Sequence, residues 1–219
     1  MKLLILGLPR AGTTSLLRHI QKQKGKGFFE PYGDNAKKIH NYPYPLKELT
    51  ESNDVVVKQL MWDIPTSKKE SVEFYPFPHI NPTIYFQHQL DFTKYFDKII
   101  LLDRKNLIEH LNSFINLTYK IENKSSVNTK WQESEIPKSY IQKFITNNIH
   151  THLYLMKSEL LLLSKKLKID ITWYEDLYGE DRNKSLSIIK SWNLDIDEEL
   201  LNKDLHPRFK YLDNKKNII

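Results

Sequence analysis

The sequence predicts an α/β fold built on a central parallel sheet, and three observations carry that expectation. Short apolar runs without alternation recur at Leu3–Leu6, Val55–Val57 and Ile99–Leu102, as strands covered on both faces require. Stretches with helical spacing separate these runs. The strand ends lead into glycine- or cation-bearing turns and then helices, not into hairpins. At 219 residues, 40% of them hydrophobic, the chain can bury a sizeable core and is expected to form a single domain over 1–219.

The first strand–turn–helix is the most informative. Leu3 to Leu6 leads into Gly7-Leu8-Pro9-Arg10-Ala11-Gly12, and Thr13-Thr14-Ser15 opens a helix expected to reach about Gln23. A glycine loop ending in a helix N-terminus can hold a phosphate, because loop amides and the helix dipole converge on the anion. Gly7 and Gly12 have the spacing of G-x-x-x-x-G-K-[ST], but Thr13 stands where a nucleotide triphosphatase places lysine, and the cation is Arg10 inside the loop. Such a loop grips a 5′-phosphate and what is attached to it, without the usual equipment for a triphosphate–magnesium unit. An ordinary βα turn would also use Gly for positive φ and Thr13 as a cap.

Pro9-Arg10-Ala11-Gly12-Thr13-Thr14 resembles the P-[RK]-x-G-[ST]-[ST] loop of sulfotransferases that use 3′-phosphoadenosine 5′-phosphosulfate, closest to the bacterial carbohydrate-type enzymes. Three further segments resemble the same superfamily in the same order. Val57-Lys58-Gln59-Leu60-Met61-Trp62 is similar to a K-x-M-W element, with one residue of difference. Arg104-Lys105-Asn106-Leu107, followed by Ser113, is similar to a segment that binds the cofactor's 3′-phosphate; Arg104 and Lys105 both suit its spacing. Tyr174-Glu175-Asp176-Leu177 is similar to a landmark whose carboxylates brace the cofactor loops.

The resemblance implies a three-layer Rossmann-like P-loop fold. It implies transfer of a sulfuryl group to a hydroxyl or amine, with the phosphosulfate nucleotide as co-substrate and no metal. Pro9, Arg10, Ala11, Gly12, Thr13, Thr14 and Ser15 would hold its 5′ end, and Arg104, Lys105 and Ser113 its 3′-phosphate. Arg10 and Lys58 would stabilise charge on the phosphosulfate. Glu30, in Phe28-Phe29-Glu30-Pro31, would take the acceptor's proton. The basic, aromatic tail with Arg208 and Lys210 could close over the nucleotide, although it lacks the R-K-G-x-x-G signature of the cytosolic class. The Met-Trp element leans towards a carbohydrate or glycolipid acceptor.

The remaining chain fills in the architecture. Thr83 to Phe96 has helical spacing, and Lys138 to Lys168 reads as some thirty residues of helix with Tyr140, Phe144, Ile149, Leu153, Met156, Leu160 and Leu163 inward. Ile169 to Leu177 reads as the last strand. Arg182 to Asn193 and Asp197 to Asp204 read as short helices. Without cysteine there is no disulfide scaffold, thiolate metal site or thiol nucleophile. His150 and His152 are two apart and face different ways, so they make a poor metal pair. The N-terminal apolar run is too short for a secretory signal, and no stretch approaches the roughly 20 apolar residues of a membrane span. A cytoplasmic protein with no transmembrane segment is expected. The net charge of +6 suits anionic ligands, but the Lys and Arg residues are interspersed with Asp and Glu. That pattern disfavours the rival of a nucleic-acid-binding protein, which needs a contiguous basic face. The other rival, an ATP-using P-loop kinase, needs the lysine that Thr13 replaces.

Overall fold

The computed structural model describes residues 1–24, 26–29, 54–61, 82–122, 136–146 and 149–205. Its centre is a five-stranded, all-parallel sheet in the order β2-β3-β1-β4-β5. The strands are β1 (Lys2–Gly7), β2 (Gly27–Phe29), β3 (Val55–Leu60), β4 (Lys98–Asp103) and β5 (Ile171–Trp173). β3 is buried along its whole length and β1 from Leu3 onward, which explains apolar runs in place of alternation.

Helices cover both faces, giving three layers. α1 (Thr13–Lys24), α6 (Tyr174–Leu177), α7 (Arg182–Ser191) and α8 (Glu198–Leu205) lie on one side. There Leu3, Ile5, Val56, Ile100 and Leu102 pack with Leu16, Leu17, Ile20, Ile189, Leu201 and Leu205. α2 (Pro82–Thr93), α3 (Leu107–Glu122) and α5 (Ile149–Leu167) lie on the other, where Leu4, Leu6, Leu8, Val57 and Leu101 meet Phe92, Leu153, Met156, Leu160 and Leu163. α4 (Lys138–Thr146) extends this layer, with Tyr140 against Ile115. Fully burying each such side chain contributes roughly 1.5–3 kcal/mol. No helix among the described residues is long and apolar enough to cross a membrane.

Two sequence expectations need correcting. The final strand ends at Trp173, and Tyr174–Leu177 is a helical turn; its carboxylates are drawn back onto the β4–α3 loop, as described below. β2 was not anticipated in Lys26-Gly27-Phe28-Phe29. It is only three residues long and draws its register from β3, with Phe28 opposite Val57.

The strand order creates one crevice. From β1 the chain crosses by way of α1 towards β2 and β3, and from β4 it crosses towards β5 on the opposite side. The helix that follows β1 and the helix that follows β4 therefore lie on opposite faces. The carboxyl ends of the adjacent strands β1 and β4 flank the gap where ligands gather in open α/β sheets.

Candidate functional site

The loop after β1 is wedged between neighbours. A Cβ on Gly7 would collide with the Leu102 carbonyl of β4 and come within 2.8 Å of Thr13 Cγ2. Leu8 to Ala11 form a β-turn closed by Ala11 N–H donating to the Leu8 carbonyl (3.2 Å). Pro9 occupies the position that favours proline, and Arg10 has a φ of 67° where glycine is usual. An arginine held in the left-handed region costs about 1–2 kcal/mol.

Two bonds from the β4 side hold that conformation. Arg104 Nε–H donates to the Arg10 carbonyl at 2.8 Å, and His110 Nε2 donates to the Pro9 carbonyl at 2.6 Å. Arg10 reciprocates, with Nε–H donating to Ser113 Oγ at 3.1 Å. His110 Nδ1 lies 3.4 Å from Asp103 Oδ1, but the alignment leaves both atoms without a hydrogen bond.

Gly12 ends the loop with a φ of 87°. Its carbonyl accepts from Ser15 N–H (3.0 Å), Leu16 N–H (3.2 Å) and the Tyr178 hydroxyl (2.8 Å). Fixing that carbonyl along the helix turns the Thr13 N–H of the same peptide out of the helix N-terminus. Among the described residues, no backbone carbonyl or side chain accepts from the amides of Gly12, Thr13 or Thr14, and the buried Ser15 hydroxyl has no partner. This is a set of donors aimed at an anion. Tyr178→Phe is expected to lower stability by about 1 kcal/mol, the net worth of one neutral hydrogen bond, and thermal unfolding would read this as a fall of about 2–4 °C.

The β4–α3 loop is set by carboxylates of α6. Glu175 accepts from Lys105 N–H (2.9 Å) and Asn106 N–H (3.4 Å). The Asn106 side chain caps α3 by accepting from Ile108 N–H (3.0 Å) and Glu109 N–H (3.2 Å). Asp176 accepts from Lys105 Nζ (2.7 Å) and Lys184 Nζ (2.9 Å). Desolvation pushes its carboxyl up, but the hydrogen bonds and charges of Lys105 and Lys184 hold it below the usual carboxylate range. Asp103, at the end of β4, pairs with Lys157 of α5 at 2.8 Å.

Both arginines thus lie in one place. Arg104 is buried with its guanidinium carbon 4.1 Å above the Tyr174 ring. Burial, and then the Arg104 charge, lower Arg10 from 12.5 to about 10, with Tyr174 opposing. Among the described residues no carboxylate pairs with Arg104, because Glu175, Asp176 and Asp103 are turned towards other donors.

Of the residues singled out in the sequence, the structure brings Pro9, Arg10, Ala11, Gly12, Thr13, Thr14 and Ser15 together with Arg104 and Ser113. The two expected anion sites form one continuous cluster. Lys105 is turned to Asp176, so Arg104 is the residue that faces the loop. Lys58 is buried within β3, level with Ile5, with its ammonium 4.5 Å from the Phe29 ring centre. Glu30, Arg208 and Lys210 lie outside the described residues. The sequence reading did not single out His110 and Tyr178, which fix the loop's carbonyls; a histidine and a tyrosine inside helical patterns carry no signal of their distant partners. No protein-family model matches the chain, and no curated protein matches it in sequence.

Proposed function

We propose that the protein is a sulfotransferase that takes a sulfuryl group from 3′-phosphoadenosine 5′-phosphosulfate and passes it to a hydroxyl or amine. The observation that carries this reading is the meeting of Arg10 and Arg104 beside the unpartnered amides of Thr13 and Thr14. Adjacent buried guanidinium groups repel, and a doubly phosphorylated nucleotide relieves that repulsion at both ends. Thr13 is buried and neutral where a kinase needs its lysine.

In this reading the loop amides and Arg10 hold the 5′-phosphate as it becomes the leaving group. Arg104 and Ser113 hold the 3′-phosphate. Lys58 adds positive charge from β3. Fixed donors of this kind need no rearrangement as charge builds on the bridging oxygen, which is the main lever for group transfers with little covalent assistance. A carbohydrate or glycolipid is the acceptor that the Met-Trp resemblance favours.

Thermal unfolding with adenosine 3′,5′-bisphosphate, AMP and ATP–magnesium tests the reading. At a hundred times its Kd the bisphosphate should stabilise by about 2.7 kcal/mol, a rise of about 5–10 °C. Arg104→Ala should weaken the bisphosphate about tenfold, the loss of one charge-assisted hydrogen bond, and leave AMP within about threefold. A rise with ATP–magnesium alone would overturn the proposal in favour of a kinase.

A further inference from the structure

On the α2/α5 side of the sheet, beside the loop, lies a polar cluster that the nucleotide does not use. Gln59 and Gln89 are both fully buried. Gln59 Nε2 donates to the Leu60 carbonyl (3.3 Å) and Gln89 Nε2 to the Met61 carbonyl (3.4 Å). Because each nitrogen faces a carbonyl, each amide's orientation is fixed and its Oε1 is the atom left over. Both oxygens are buried without a hydrogen-bond partner, a state that native proteins rarely leave unanswered. Glu159 of α5 joins them: burial pushes its carboxyl above the usual carboxylate range, and a hydrogen bond from Gln89 opposes this.

The cluster stands level with the phosphate loop. Leu60 is in register with Gly7 on the neighbouring strand, so Met61 lies beside Leu8, the first loop residue past β1. Leu8 packs in the same apolar cluster as Val57, Met61 and Met156. Two residues before Glu159, Lys157 reaches Asp103 and the Arg104 carbonyl at the end of β4. This stretch of α5 therefore runs along the carboxyl edge of the sheet.

The site beside it is built of donors: amides, guanidinium groups and hydroxyls. This one offers acceptors. That division suits a transfer from an anion to a nucleophile, whose O–H or N–H must be held by an acceptor so that its lone pair is free to attack. We propose that Gln59, Gln89 and Glu159 form the subsite for the group that receives the sulfuryl, a neutral hydroxyl or an amine, with Glu159 taking its proton. The inference rests on the sulfotransferase reading. In the step, the acceptor's oxygen or nitrogen bonds to sulfur, and the bond from sulfur to the bridging phosphate oxygen breaks. Its electron pair leaves with adenosine 3′,5′-bisphosphate, and the acceptor's proton passes to the Glu159 carboxylate. A carboxylate-bearing acceptor meets only acceptors here and is repelled.

The test follows transfer of radiolabelled sulfuryl from the nucleotide to methyl glucoside, methyl glucosaminide and methyl glucuronide, with bisphosphate Kd measured in parallel. The first two should be sulfated and the third should not. Glu159→Gln should reduce transfer about 100-fold or more, as expected on losing a general base, with the Kd within threefold; Glu159→Asp should recover part of the rate. Gln59→Leu and Gln89→Leu, which remove the orphan oxygens at similar volume, should raise the acceptor KM about tenfold. Unchanged transfer in Glu159→Gln, loss of transfer in Glu30→Gln alone, or an unchanged KM in both leucine variants overturns the inference and leaves the nucleotide site standing. A wild-type protein that binds the bisphosphate but sulfates none of the panel overturns the acceptor class. One that binds no bisphosphate overturns the nucleotide reading and this inference with it.

Discussion

Arg10→Gly is expected to weaken binding of adenosine 3′,5′-bisphosphate about 100-fold while making the unliganded protein about 1 kcal/mol more stable. The two effects have one origin. Glycine adopts the φ of 67° without the 1–2 kcal/mol strain that an arginine pays there. Its replacement also removes a buried charge that Arg104 repels. Against these gains stand the lost hydrogen bond to Ser113 and the greater freedom of glycine in the unfolded chain, about 0.5–1 kcal/mol. For the ligand there is only loss, because a charge-assisted bond of the usual 1.5–3 kcal/mol disappears, and about 1.4 kcal/mol is a factor of ten. Calorimetric titration and thermal unfolding on the same preparation check both signs. A variant that loses stability and keeps affinity would mean that Arg10 is there for the fold.

Gly12→Ala should be the more damaging change to the fold itself. An alanine at a φ of 87° is strained, and its Cβ would lie 2.7 Å from Tyr178 Cε2 and 2.8 Å from Tyr174 Cδ2. The left-handed backbone costs about 1–2 kcal/mol and overpacking about 1–3 kcal/mol. The sum of about 2–5 kcal/mol predicts a fall in Tm of about 5–15 °C. If the rings cause the crowding, the same change should cost less in a Tyr174→Leu background, since residues in contact couple by about 0.5–3 kcal/mol. Equal costs in both backgrounds would place the whole effect in the backbone. Bisphosphate binding should vanish in Gly12→Ala, because the Thr13 amide turns with the Gly12 carbonyl.

The architecture was legible wherever burial on two faces wrote itself into consecutive apolar residues, as in β1, β3 and β4. Helices α3 and α5 were legible from their spacing, and Leu153, Met156, Leu160 and Leu163 are inward as that spacing implies. β2 was not, because three residues after a glycine turn carry no periodicity and take their pairing from β3. Tyr174–Leu177 misled because its aromatic start continues the pattern of β5; its helical turn is fixed by what Glu175 and Asp176 reach, some seventy positions away. The loop with its arginine was legible because a cation among glycines, and a threonine where lysine is usual, are local facts. Its closeness to Arg104 was not, since only the pairing of β1 with β4 brings the two together. Gln59, Gln89 and Glu159 lie on three different elements. No single stretch of sequence announces them.

The Tyr178 hydroxyl and the Gly12 carbonyl are separated by 166 positions along the chain, and this gives the protein a history as well as a shape. During synthesis the chain grows from its N-terminus and tends to fold as units emerge. The phosphate loop leaves the ribosome almost at once, and β1 can pair with β3 and β4 before β5 has been made. Until Tyr174 and Tyr178 arrive, nothing presses on Gly12, and the Thr13 amide has no reason to keep its direction. Contacts of such long sequence separation close late. A nascent chain therefore acquires its sheet first and its grip on an anion afterwards, so that capacity for the nucleotide reports a finished molecule.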